Sequence, residues 1–382
     1  MDQGEKEPIP PPATQARSIE LFLCGDVMTG RGIDQILPHP SEPRIYESAM
    51  SSALGYVALA ECVSGPIPRP VSFSDIWGDF LPELEARSPD RRIINFETSV
   101  TTSEEALPKG INYRMHPGNV PCLLAAGIDC CVLANNHVLD WGFRGLVETL
   151  ESLHQAGIAT AGAGRNATEA ATPAVLDVPG RGRVLVFAYG SGSSGIPESW
   201  SATRVRAGVR LLPDLSARTA SEVVSEIDAQ SRAGDLVVAS IHWGGNWEYE
   251  IPREQREFAR RLVETGSVDA VHGHSSHHPK GIEVYRDRPI LYGCGDFIND
   301  YEGIGGFAKF RGELVLAYFV RLNAESGSLE RLEMVPFRIL RFQLKRANRE
   351  EAVWLRQVLD REGRDLGTSV DLSVEGALTL RW

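Results

Sequence analysis

Apolar positions along the chain fall in short runs separated by amphipathic stretches. Residues 19–24 (IELFLC) form the first run, and glycine and turn residues follow at once. Runs at 92–96, 130–133, 158–161, 174–178, 183–189, 235–242, 268–272, 282–285 and 290–292 have the length and composition of strands. Between them the period changes to that of a helix. Residues 77–87 put Phe80, Leu81 and Leu84 on one face, and 142–156 do the same with Leu146, Leu150 and Leu153 before Gly157 stops the helix. Helices are also expected over 49–62, 120–127, 214–233 and 252–266, the last with proline in its first turn and glycine at its end. From about residue 313 come more strands, one helix (349–362) and a final strand. Alternating strands and helices predict an α/β fold with a mainly parallel sheet covered by helices.

Two segments break this rhythm. Residues 33–74 are long, irregular and rich in Pro and Ser, a pattern expected of a functional or partly disordered loop. Residues 1–17 (MDQGEKEPIPPPATQAR) have no apolar run, so they read as a disordered leader and not as a signal peptide or membrane anchor.

Composition narrows the picture. Apolar types make up 42% of 382 residues, ample for a large core. Acidic residues outnumber basic ones by 51 to 39, which argues for solubility and against a uniform basic footprint for nucleic acid. Clustered carboxylates add a second reading, neutralisation by bound cations. The cysteines (Cys24, Cys62, Cys122, Cys130, Cys131, Cys294) form no C-x-x-C pair. They read as free thiols in a reducing compartment, hence a cytoplasmic location.

The chemistry lies where an open α/β sheet places its ligands, beyond the carboxyl ends of strands. Asp26 follows the first strand, Glu97 the second, and Asn135, Asn136 and His137 the third. His242 ends a fourth, and His272, His274, His277 and His278 follow a fifth. One polar residue after a strand is ordinarily a turn or helix cap. Five successive strand ends carrying carboxylate, amide and imidazole groups form the mixed donor set of Mn, Fe, Zn or Co.

In order, the blocks GDVMTGRG, NFETSVT, LANNHVLDWG, HWGGNWEY and GHSSHH…GIEVY…ILYGCGDF resemble the CapA family of poly-γ-glutamate capsule biosynthesis proteins, from about Ile19 to Phe310. That family in turn resembles calcineurin-like metallophosphoesterases. The resemblance implies a four-layer α/β/β/α sandwich with one or two divalent ions (Mn, Fe or Zn). It also implies a single domain over 18–382, in which 313–382 extend the second sheet. Carried over, Asp26 binds the first metal, Glu97 stands as bridging carboxylate, and Asn136 binds the second metal. His242 and His274 complete that second site, His277 returns to the first, and His137 protonates a leaving group. Two positions depart from the phosphoesterase pattern. Met28 stands where D-x-H has its histidine, a soft thioether and a poor ligand for hard ions. The G-H-x-H motif is one residue longer here, which leaves His277, His278 and His272 as alternatives.

Other residues carry two readings each. Arg31, Lys109, Arg114, Asn246 and Glu248 are expected to meet the substrate, the arginines as carboxylate or phosphate clamps. A solvated basic loop is the alternative for Lys109 and Arg114. Asp140 either orients His137 or caps the helix that begins near Gly142. Asp296 and Asn299 follow another strand and line the same region. Residues 190–195 (GSGSSG) lack the G-K-[ST] ending of a phosphate loop. The expected function is a metal-dependent hydrolase of a phosphoester or γ-glutamyl-type amide, linked to poly-γ-glutamate or related biosynthesis. Its partners would be a small-molecule or γ-glutamyl polymer substrate and a synthase or second copy, with no nucleic acid and no membrane anchor. The alternative is a non-catalytic accessory protein on the same scaffold.

Overall fold

In the computed structural model, which describes residues 18–306 and 308–382, the first apolar run becomes strand β1 (Ser18–Val27). The expected leader lies outside the described residues. Alternation along β1 sets the layers, because successive side chains point to opposite faces. Leu21 and Leu23 face one core, Phe22 and Cys24 another.

Strand β1 runs parallel to β2 (Arg91–Phe96), then β3 (Cys130–Val132) and β4 (Ala159–Ala161). A second sheet aligns β5 (Gly182–Ser191), β6 (Asp235–His242), β7 (Ala270–His274) and β8 (Arg288–Leu291) in parallel. Between the sheets, Leu21, Leu23, Ile93 and Val132 pack on Val184, Val186, Leu236 and Val238. Each such side chain contributes about 1.5–3 kcal/mol by leaving water. On the outer face of the first sheet, Phe22 and Ile94 meet Val57 of α1 (Leu54–Ser64), Phe80 of α2 (Phe80–Arg87) and Leu150 of α3 (Gly142–Gln155). On the outer face of the second, Phe187 and Val237 meet Ile227 of α4 (Ala217–Gln230) and Phe258 of α5 (Arg253–Glu264). The fold is therefore the α/β/β/α sandwich.

Three expectations change. The sheets are mixed, since antiparallel strands Ala174–Val178 and Ile282–Tyr285 border β5 and β8. The C-terminal strands extend the first sheet, not the second. After the short β9 (Asp296–Ile298), which is parallel to β1, β10 (Leu314–Asn323) pairs antiparallel with β1, and β11 (Leu329–Leu340) pairs with β10. The reason is the edge of β1 left open opposite β2, where Leu316, Val320 and Leu322 of β10 drop into the core between the sheets. From α6 (Arg349–Gly363), started by an Asn348–Glu351 capping box, Leu355 and Leu359 join the same core. Residues 33–74, finally, form an ordered cover, with Ile33, Ile36, Leu37, Val57, Ala60 and Ile67 buried in the outer core.

Among the described residues no helix is long and apolar enough to cross a membrane. All six cysteines are free, and all but Cys62 are buried.

Candidate metal centre

The carboxyl ends of β1, β2, β3, β6 and β7 deliver their polar residues to one buried cluster. Asp26 sits opposite Asn95 on β2 and Asp296 on β9. The approach of β1 to the turn before β9 demands glycine. A Cβ at position 25 would lie 1.7 Å from the Gly295 carbonyl oxygen, which itself accepts the Asp26 backbone N–H at 2.9 Å. Asn95 Nδ2 donates to Asp26 Oδ1 at 2.7 Å and to Glu97 Oε2 at 3.0 Å, so one amide ties the two carboxylates. Asn135 fixes that amide by donating to Asn95 Oδ1 at 3.1 Å. Asp26 Oδ2, buried, has no hydrogen-bond partner.

From the second sheet, His242 Nε2 lies 3.0 Å from Asn136 Oδ1, and His242 Nδ1 lies 2.7 Å from His274 Nδ1. The Ser240 hydroxyl holds the other nitrogen of His274 at 2.9 Å. His272 is held at both nitrogens, by Ser240 Oγ at 3.0 Å and the Cys24 carbonyl at 2.7 Å, and is a packing residue. His277 Nδ1 lies 2.7 Å from Asp296 Oδ1 and 3.8 Å from Asp26 Oδ2. His278 turns away to the Ser276 carbonyl, among Trp247, Tyr249 and Phe310. Of the three alternatives, His277 is the one that faces the carboxylates. Its backbone (φ 60°) and that of Ser275 (φ 96°) and Trp247 (φ 62°) are left-handed without being glycine, a strain of about 1–3 kcal/mol each of the kind held at functional sites. Met28 is buried beside them and accepts a contact from the Tyr301 hydroxyl at 3.6 Å.

His137 faces Glu97 from the third strand end, with Nε2 3.9 Å from Glu97 Oε1. Its Nδ1 lies 2.6 Å from Asp140 Oδ2, and Asp140 also accepts from Lys109 Nζ at 2.7 Å and from the Tyr113 backbone N–H at 2.6 Å. Asp140 therefore orients His137. The N-cap of α3 is Trp141, with no side-chain cap bond.

Burial sets the proton affinities. It pushes the Asp26 carboxyl up to about 7, with Asp296 adding to the rise, and holds Glu97 and Asp296 above the usual carboxylate range. It pushes His137 down to about 4 against the pull of Asp140, and holds His242 and His274 well below the usual histidine value. Burial also opposes charge on His277, but Asp296 and Asp26 outweigh it and its pKa stands raised. Asp26 and Asp296 thus face the His277 ring, with Glu97 tied to Asp26 through Asn95, and the Oδ2 of Asp26 is without a hydrogen-bond partner. The donors fit a divalent cation. Two groups bring their ligand atoms within 4.8 Å of one another, Asp26–His242–His274 and Asp26–His277–Asp296. The residue they share is Asp26, where the resemblance had put Glu97.

The expected substrate contacts divide. Lys109 reaches Asp140 and the Asn136 carbonyl at the edge of the cluster. Arg31 is instead buried between Tyr56 and Tyr113, with its guanidinium on Asp300 and Glu47. Arg114 stacks on Trp141 and donates to the Ser103 and Glu42 carbonyls. Both arginines are thereby engaged inside the protein, not turned outward as clamps. Asn246 and Glu248 are exposed on the turn after β6. Sequence reasoning passed over Asn95. A polar residue two before Glu97 on the same strand face was its signal.

An α/β/β/α sandwich with metal-ligand-type residues at its strand ends is the class these observations define. Residues 20–301 match the bacterial capsule synthesis protein PGA_cap family, and the chain belongs to it. It is 47% identical over 354 residues to a probable polyglutamine synthesis accessory protein of Mycobacterium tuberculosis, covering 92% of this chain and 93% of that one. It is 23% identical over 321 residues to the capsule biosynthesis protein CapA of Bacillus anthracis, covering 84% and 67%. Among solved structures it is similar to a phosphatase of Mycoplasma pneumoniae, at 12% identity and a TM-score of 0.47, covering 84% of this chain and 94% of that one.

Proposed function

We propose that this protein is a metal-dependent hydrolase acting on a phosphoester or a γ-glutamyl-type amide, linked to poly-γ-glutamate or related biosynthesis. The observation that carries the reading is the unpartnered, buried Asp26 oxygen facing His277 within a ring of carboxylate, amide and imidazole donors. Asp26, Asn136, His242, His274 and His277 would hold the ion or ions, with Glu97 alongside. A bound divalent ion supplies Lewis acidity toward a phosphoryl or acyl oxygen and toward water. His137, anchored by Asp140 at Nδ1, turns Nε2 toward Glu97, and Nε2 is the atom at which a proton would pass to a leaving group. Negative charge arriving there raises its proton affinity against the effect of burial. The γ-glutamyl class is supported by relatives named for polyglutamine and capsule synthesis.

A second reading, an accessory protein that binds a polymer or synthase without turnover, is favoured by Met28 at a ligand position and by the name of the mycobacterial relative. Metal content of the purified protein, with turnover of a phosphodiester and of oligo-γ-glutamate in the same preparation, separates the two. One or two equivalents of Mn, Fe or Zn with turnover supports the hydrolase. No metal after reconstitution and no turnover supports the accessory reading.

A further inference from the structure

We infer that Asp296 is a direct metal ligand that makes up for the histidine missing at position 28, so that the chain holds two ion sites sharing Asp26. The inference rests on the metal-dependent reading above. Asp296 opens β9, which pairs parallel with β1 so that its Cα lies directly opposite that of Asp26. The side chain is buried, with Oδ1 2.7 Å from His277 Nδ1 and Oδ2 accepting from Asn299 Nδ2 at 2.7 Å. His277 Nδ1 in turn faces the partnerless Oδ2 of Asp26 at 3.8 Å. The same side of the cluster has lost a donor, because the Met28 thioether is occupied by the Tyr301 hydroxyl. Two oxygens and one nitrogen, from β1, β9 and the loop after β7, thus form one corner. Asp26, His242 and His274 form the other. Without Asp296, the first corner would have only Asp26 and His277.

Mn2+ titration of the metal-stripped protein by calorimetry tests the assignment, with thermal unfolding to confirm that each variant is folded. Asp296→Asn keeps the side-chain volume and a group that can hold the His277 ring. A carboxylate that merely orients a ligand costs about 10–100-fold in affinity when removed. The expected result is two equivalents of Mn2+ in the wild type and one in Asp296→Asn, or a second equivalent weakened by more than about 100-fold. Met28→His added to Asp296→Asn should restore the second equivalent, as expected if that corner lacks a donor. Unchanged stoichiometry in Asp296→Asn with a smaller loss of affinity overturns the assignment and leaves the metal-dependent reading intact. A wild type that takes up no Mn2+ overturns both.

Discussion

His137 and Asp140, three residues apart, meet at 2.6 Å between Nδ1 and Oδ2, and the aspartate is anchored from behind by the Tyr113 backbone N–H. This pair can be removed without touching the proposed metal ligands. His137→Ala should leave bound metal nearly unchanged and lower turnover by about 10²–10⁴-fold, the range of general acid–base catalysis. Asp140→Asn should lower it in the same direction. Full turnover in His137→Ala would remove its proton-transfer role.

Asn136 and His242 touch at 3.0 Å across the two sheets. Asn136→Ala and His242→Ala should each reduce metal content measured by mass spectrometry. Normal stoichiometry in both variants would end the ligand assignment for this corner.

Arg31 predicts a stability effect in place of a substrate effect. Its guanidinium compensates the buried Asp300 and Glu47 carboxylates. Arg31→Met should destabilise the fold by about 3–5 kcal/mol in urea unfolding, as expected when one partner of a buried ion pair is lost. Unchanged stability with a raised KM for an anionic substrate would instead return Arg31 to the site.

Lys109 and Arg114 should separate in kinetics. The Lys109 ammonium depresses the proton affinity of His137, after the larger effect of burial. Lys109→Ala should move the limb of the pH–rate profile governed by His137 to higher pH. Arg114→Ala should leave that limb in place, because its guanidinium is tied to backbone carbonyls at Ser103 and Glu42. Equal shifts in both would contradict this division.

The metal-free protein should lose stability as pH rises from 6.5 through about 7, where the folded Asp26 carboxyl gives up its proton. Asp26, raised to about 7, holds a proton in the folded state that the unfolded chain has released, so stability falls as pH rises, and the raised Glu97 carboxyl acts in the same direction. His277, also raised, acts in the same direction. The lowered histidines, His137, His242 and His274, act oppositely, but their contribution is complete once pH passes the ordinary histidine value of 6.5. Saturating Mn2+ should remove the loss. A melting temperature that is flat or rising over that window in the stripped protein would refute the account.

Much of this was legible before any coordinates, for a physical reason. Residues at strand ends follow from where an apolar run stops, so Asp26, Glu97, Asn136, His242 and His274 could be placed by pattern. Asp235–His242 and Ala174–Val178 even begin and end where the runs do. Which of three neighbouring histidines faces inward depends on backbone dihedrals at Ser275 and His277, and no spacing rule contains those. The engagement of Arg31 was hidden because its partners Glu47 and Asp300 come from distant segments. The sheet joined by Leu314–Asn323 was hidden likewise, since alternation shows that a strand is half-buried but not whose edge it borders.

The pairing of β1 with β10 has a consequence for how the molecule comes into being. Leu21 lies opposite Arg91 on one side and Val320 on the other. As the chain leaves the ribosome, the strand that carries Asp26 meets β2 well before β10, its other neighbour, has been made. Until then its open edge is a template for wrong pairing. Asp26 and Asp296 can come opposite each other only after β9 has emerged, so a nascent chain that has made only the parallel strands β1 to β4 does not yet hold that pair.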